Sequence, residues 1–232
     1  MLPAQITRSY TSAMLRGLVL TALLIDAGLV VGRVLTYPGL FSVPGFSGTI
    51  GLVALSLVAA AIFVVGTTYS NLLPDSLGLA TATGVLGGAI LVVHMALENF
   101  GAHVGEDWRL TIAVMLATFA LWFSSGWRTS RGQSTLMVGA IAGAWTAIVS
   151  IIFAITFGFI GMFFDVPSSA YVATWPEYIQ SGSSDPEAFA IANTLDAATS
   201  HVATALILGS ILGGAGWFIA SLRKGPELKP RS

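Results

Sequence analysis

Six stretches of the chain stay apolar over a length that suits a membrane-crossing helix: residues 13–35, 49–69, 77–97, 110–127, 135–164 and 202–222. A hydrocarbon core of about 30 Å asks for about 20 such residues at about 1.5 Å each. The fourth stretch is short, and the fifth is long enough that it must tilt, bend or project beyond the lipid. The pattern predicts an all-α polytopic membrane protein, a bundle of about six transmembrane helices. It places a single domain over residues 1–222 and a short, basic cytoplasmic tail at 223–232.

The polar stretches sharpen this picture. The segment 165–184 has no Lys or Arg but carries Tyr171, Trp175 and Tyr178, residues suited to an interfacial aromatic belt. Ser184-Asp185-Pro186-Glu187 is a helix start, with Asp185 able to cap and Pro186 at the first helical position. The last helix is therefore expected to begin well before its apolar part. Residues 186–201 would form an amphipathic or protruding segment, joining the long fifth helix in a small cap. Residues 38–46 link the first two spans through two Pro-Gly pairs without charge, and are expected to form an ordered hydrophobic turn.

Composition supports the membrane reading from another direction. Of 232 residues, 55% are hydrophobic and 9% charged, with a mean hydropathy of +0.83, whereas soluble domains carry about 25% charged residues. The charged groups are too few to cover a soluble surface, so the remaining surface must face the lipid bilayer. A net charge of −1 supplies no basic field for nucleic acid, and no nucleic-acid partner is expected. Without cysteine, thiolate catalysis, iron–sulfur ligation and disulfides are excluded. The N-terminal stretch lacks a small-x-small cleavage pattern and reads as a retained first span.

Basic residues suggest an orientation. A cytoplasmic N-terminus puts Arg8, Arg16, Arg128, Arg131, Arg223, Lys224, Lys229 and Arg231 inside, leaving Arg33 and Arg109 outside. The expectation is a cell-membrane protein with both termini inside. Glycines spaced four apart recur at Gly28/Gly32, Gly84/Gly88, Gly139/Gly143 and Gly209/Gly213. Such pairs let helix backbones approach closely, and are expected to pack the bundle internally. The alternative use is an interface with a membrane-protein partner or a second copy of the chain.

Ionisable residues inside a bilayer carry the chemical information, because burying a charge there must be compensated. Asp26 lies near the middle of the first span without an adjacent polar residue, a candidate proton or ion site. The competing readings are a hydrogen bond to Ser or Thr of a neighbouring helix, or a pair with Arg33 two turns along the same face. His94 and Glu98 share one face of the third span, while Asp196 and His201 approach the same level on the last. His103, Glu106 and Asp107 lie in the adjoining loop.

The outer polar cluster His94, Glu98, Asp196 and His201 fits haem ligation by two histidines, a Zn or Cu site, a proton relay, or simple capping of wet helix ends. Trp122, Trp127 and Trp217 read as interface anchors. Trp145 reads as core packing, with ligand contact as the alternative. Phosphate-binding, dinucleotide, metalloprotease and serine-hydrolase motifs are absent. Three functions follow: a small transporter or ion-coupled carrier of an apolar or amphipathic solute, a non-catalytic accessory subunit of a larger membrane complex, or an intramembrane enzyme or haem/metal-binding protein.

Overall fold

A computed structural model describes residues 4–69, 77–100, 108–130, 135–164 and 167–223. Its long helices are α1 (Ala4–Thr36), α2 (Phe46–Tyr69), α3 (Leu77–Phe100), α4 (Trp108–Thr129), α5 (Leu136–Phe164) and α8 (Pro186–Leu222). Two short helices, α6 (Ser169–Val172) and α7 (Pro176–Ser181), lie between α5 and α8, and a 3₁₀ turn spans Pro38–Ser42. Among the described residues six helices are long and apolar enough to cross a bilayer, so the fold is that of a multi-pass all-α membrane protein.

Helix α5 occupies the centre, and α1, α2, α8, α4 and α3 surround it in that order. Every residue from 142 to 152 is buried, a full circumference rather than one face. That burial matches its composition, apolar all round with small Ala, Gly, Ser and Thr wherever a neighbour comes close. Around the other helices the burial is one-sided. On α2 the buried residues Phe46, Val53, Ala60 and Thr67 recur every second turn, with Val64 beside them, and the remaining surface is left to lipid.

The glycine pairs explain the closest crossings. A Cβ added at Gly143 would collide with the Gly209 carbonyl and the Gly213 backbone, and one at Gly126 with the Gly213 carbonyl. Helices α4, α5 and α8 therefore meet backbone to backbone. Gly84 and Gly88 of α3 likewise receive Val149 and Phe153 of α5. Three of the four pairs are thus used inside the chain; Gly28 alone among those eight glycines has open space where its Cβ would be.

Helix α8 starts where the sequence predicts. The Asp185 side chain accepts a hydrogen bond from Ala188 N at 3.0 Å, and Pro186 occupies the first turn. Its first four turns are more deeply packed than a free amphipathic projection would be: Ala188, Phe189, Ala190, Ile191, Ala192 and Leu195 are all buried. The 3₁₀ turn and α6 cover them, contributing buried Leu40 and Val172. Polar Asn193, Asp196 and His201 give the segment its amphipathic pattern, but Ala188, Ala190, Ala192 and Ala198 lie on the covered side. The tail residues 224–232 and the loop residues His103, Glu106 and Asp107 fall outside the described residues.

The link between α1 and α2 is the expected ordered turn. Leu40, Val43 and Phe46 point into the core, and Gly45, at φ 82°, reverses the chain where an L side chain would be strained.

Candidate functional site

Serine and threonine hydroxyls inside a membrane helix normally donate back to a carbonyl in the preceding turn. Here that habit generates an interhelical polar seam. The Ser150 hydroxyl lies 2.8 Å from Thr146 O on its own helix and 3.0 Å from Gly84 O of α3. Trp122 of α4 donates its indole N–H to Ser150 Oγ at 3.3 Å. Trp145 of α5 donates to Thr81 Oγ1 of α3 at 2.9 Å, and Ser125 and Thr146 hydroxyls are 2.6 Å apart. All these residues are buried.

One sequence expectation changes at this seam and another is met. Trp122 is 2% exposed and bonded inside the bundle, not an interface anchor, because α4 turns its indole into the α3–α5 junction. Trp145 is fully buried as a core residue whose indole polarity is satisfied by Thr81. Trp127 remains near the end of its span, with the Arg223 guanidinium 4.8 Å from its ring.

Above Trp122 the four helices α3, α4, α5 and α8 separate around a chamber of about 450 Å³. Its walls are mainly apolar, with Phe119, Trp122 and Phe159 supplying aromatic faces. Thr111, Thr118, Thr194, Ser200 and Thr204 are its hydroxyl-bearing lining residues, and among the described residues its titratable ones are His94 and His201. His94 is buried and His201 exposed. His201 Nδ1 sits against the Ala197 carbonyl of its own helix, the geometry that directs Nε2 away from the backbone. Thr118 is 2% exposed, and its hydroxyl has no hydrogen-bond partner among the described residues.

The cluster expected from sequence is thus divided. His94 and His201 line one chamber, whereas Asp196 is exposed and is not part of its wall. The reason is helical phase: Ala197, Ala198 and His201 share the chamber face, and Asp196 lies off it. Glu98 falls in the last turn of α3, where the side chain is outside the described residues. No group of three or more His, Asp or Glu that could share a metal ion occurs among the described residues.

Asp26 belongs to a separate place, on the opposite side of α5. It is 1% exposed, and Thr156 Oγ1 lies 2.7 Å from its Oδ1. The same hydroxyl lies 2.8 Å from Ile152 O, and Asp26 Oδ2 is buried without a partner among the described residues. Of the two structural alternatives for this residue, the bond to a neighbouring threonine is the one formed. Arg33 pairs elsewhere, 3.4 Å from Glu187 Oε1.

Arg33 belongs to a clasp that ties the end of α1 to α5 and α8. Its guanidinium lies 5.3 Å from the Tyr37 ring centre and 5.5 Å from that of Phe163. The Tyr37 hydroxyl donates to Asp185, the residue that caps α8, at 3.2 Å. Burial, with the hydrogen bond to Asp185 and the nearby negative charge, pushes the Tyr37 phenol up to about 12.

Comparison with known protein families, with curated proteins and with solved structures finds no match. The class defined by the fold is a multi-pass membrane protein, and any finer reading rests on the chamber and on Asp26.

Proposed function

We propose that the protein is a small carrier that binds an uncharged amphipathic solute in the chamber between α3, α4, α5 and α8. The observation carrying this reading is a cavity of about 450 Å³ with apolar and aromatic walls and a few hydrogen-bonding groups, within the about 300–1,000 Å³ range of small-molecule sites. Among the described residues no Asp, Glu, Lys or Arg lines it. A charged solute would therefore lose its hydration without gaining a counter-ion, whereas a neutral one can bond to His94, His201 and the orphaned Thr118 hydroxyl.

Asp26 supplies the ion coupling in this reading. Thr156 has one hydroxyl hydrogen and two acceptors, Ile152 O and Asp26 Oδ1. A carboxyl carrying a proton donates to Thr156 Oγ1 and leaves Thr156 to bond Ile152. An ionised carboxyl claims that hydrogen for itself and leaves Oδ2 without a donor. Loading and unloading the proton thus exchanges hydrogen bonds on α5, whose neighbouring Ile155 lines the chamber. The excess of basic residues in one set of loops supports N- and C-termini on the cytoplasmic side.

Methyl-benzoquinone, a flat neutral acceptor that quenches indole fluorescence, provides a probe for the protein in phosphatidylcholine nanodiscs. Saturable quenching is expected, largely lost in Trp122→Phe. It should weaken roughly three- to tenfold in Thr118→Val or His201→Leu, the effect of one lost hydrogen bond. Linear quenching that is identical in wild type and Trp122→Phe would overturn the binding reading.

A second reading follows from the convergence of His94 and His201 on one chamber: axial ligation of haem by the two imidazoles. It requires a Soret band in the purified protein that disappears in both His94→Ala and His201→Ala.

A further inference from the structure

The chamber has a neighbour. Between α3 and α4 runs a groove of about 300 Å³ lined by Ala89, Ile90, Val93, Leu97 and Leu110. Its accessible walls are wholly apolar, and it shares His94 and Val114 with the chamber. Val93 is 58% exposed on the outer face of α3, so the groove opens to the side of the bundle where lipid lies. One polar side chain, His94, stands where the apolar groove meets the chamber that holds the hydrogen-bonding groups.

We propose that the chamber's solute is a single-chain lipid-like amphiphile. Its uncharged head lies among His94, Thr118 and His201, and its hydrocarbon chain occupies the α3–α4 groove, through which it enters from the bilayer. This deepens the carrier reading and rests on it. The shape argument is that a compact solute needs no apolar extension of its site. The chemical argument is that no Asp, Glu, Lys or Arg among the described residues lines either compartment, while the groove beyond His94 is lined by aliphatic side chains alone. Lateral entry follows because a hydrocarbon chain already dissolved in lipid passes into a lipid-facing groove without crossing water.

Leaving lipid for the groove brings little hydrophobic gain, so the chain must be held by close contact with the groove walls. The measurable effect is correspondingly moderate. Methyl- and decyl-benzoquinone are compared in the same nanodiscs, with affinity expressed per mole fraction in the lipid so that partitioning cancels. The decyl compound is expected to bind about tenfold better, the scale of a dozen or so new carbon–carbon contacts. Val93→Phe, at an exposed position that accepts a larger side chain, should erase this preference while leaving methyl-benzoquinone affinity unchanged. Ala89→Leu, at a second exposed position, should do the same independently. Equal affinities for the two compounds, unaltered by either substitution, would overturn the groove assignment while leaving the chamber reading intact. Saturable binding of neither compound would instead sink the carrier reading on which the groove depends.

Discussion

Helices α5 and α2 are nearly equal in hydropathy, yet they play opposite parts. Around α5 every side is covered by protein; around α2 a single stripe is covered and the rest meets lipid. In water such equally apolar helices would both be driven inside. In a bilayer apolarity does not distinguish the two fates, and the difference lies in small and hydroxylated residues. Helix α5 has Gly139, Gly143, Thr146 and Ser150 facing neighbours, with Trp145 bonded across to Thr81. On α2, Gly48, Gly51 and Gly66 have nothing within reach of an added Cβ. Glycine by itself is thus no sign of packing; glycine opposite another helix's backbone is.

The largest effect should come from testing that distinction directly. Gly126→Val and Gly213→Val each drive a side chain into backbone that cannot yield, so both should lose the monodisperse folded protein in detergent. The cost should be at or above the about 1–3 kcal/mol usual for overpacking. Gly28→Ala and Gly51→Ala, where space is open, should stay within about 0.5 kcal/mol of wild type in thermal unfolding. Equal damage at both kinds of site would break the comparison.

A smaller effect, and of unusual sign, is expected at Asp26. Replacing a buried carboxyl that has one unsatisfied oxygen by an apolar residue relieves a penalty, and Thr156 keeps its bond to Ile152. Asp26→Leu should therefore unfold at the same temperature as wild type or higher, by up to about 2 kcal/mol. Asp26→Asn should fold as wild type. Either variant is expected to lose proton-coupled movement of solute in proteoliposomes. A large loss of stability in both would make Asp26 a packing residue instead of a coupling one.

The smallest effect concerns the clasp on α1, and it depends on pH. The Tyr37 phenol is pushed from 10.0 up to about 12 in the folded protein. Its contribution is fully present below about pH 10, declines as the unfolded chain alone releases its proton, and is gone once the pH passes about 12. Tyr37→Phe should be less stable than wild type below about pH 9 and lack this part of the alkaline decline, so that the two proteins converge as the pH approaches 12, as read from thermal unfolding between pH 8 and 12.

Much of this architecture is legible in the sequence. Six apolar runs of sufficient length fix an all-helical membrane fold, since lipid offers no partner to an unpaired backbone. Asp185 and Pro186 mark the start of α8, because capping depends only on adjacent residues. The recurrent glycine pairs announce close crossings, though not their partners.

Other features exist only once the helices are assembled. Trp122 near the end of an apolar run reads as an anchor, and only the placement of α4 against Ser150 makes it the floor of a chamber. Thr118, Thr81, Thr146 and Ser150 look like scattered polar residues, yet Thr118 lines the chamber and the other three form the seam beside it. Asp196 sits close to His201 in sequence, yet helical phase turns it off the chamber face. Local chemistry and lipid decide which segments become helices. Which faces of those helices meet is decided by the long-range contacts of several segments at once, and the chamber is a product of that decision.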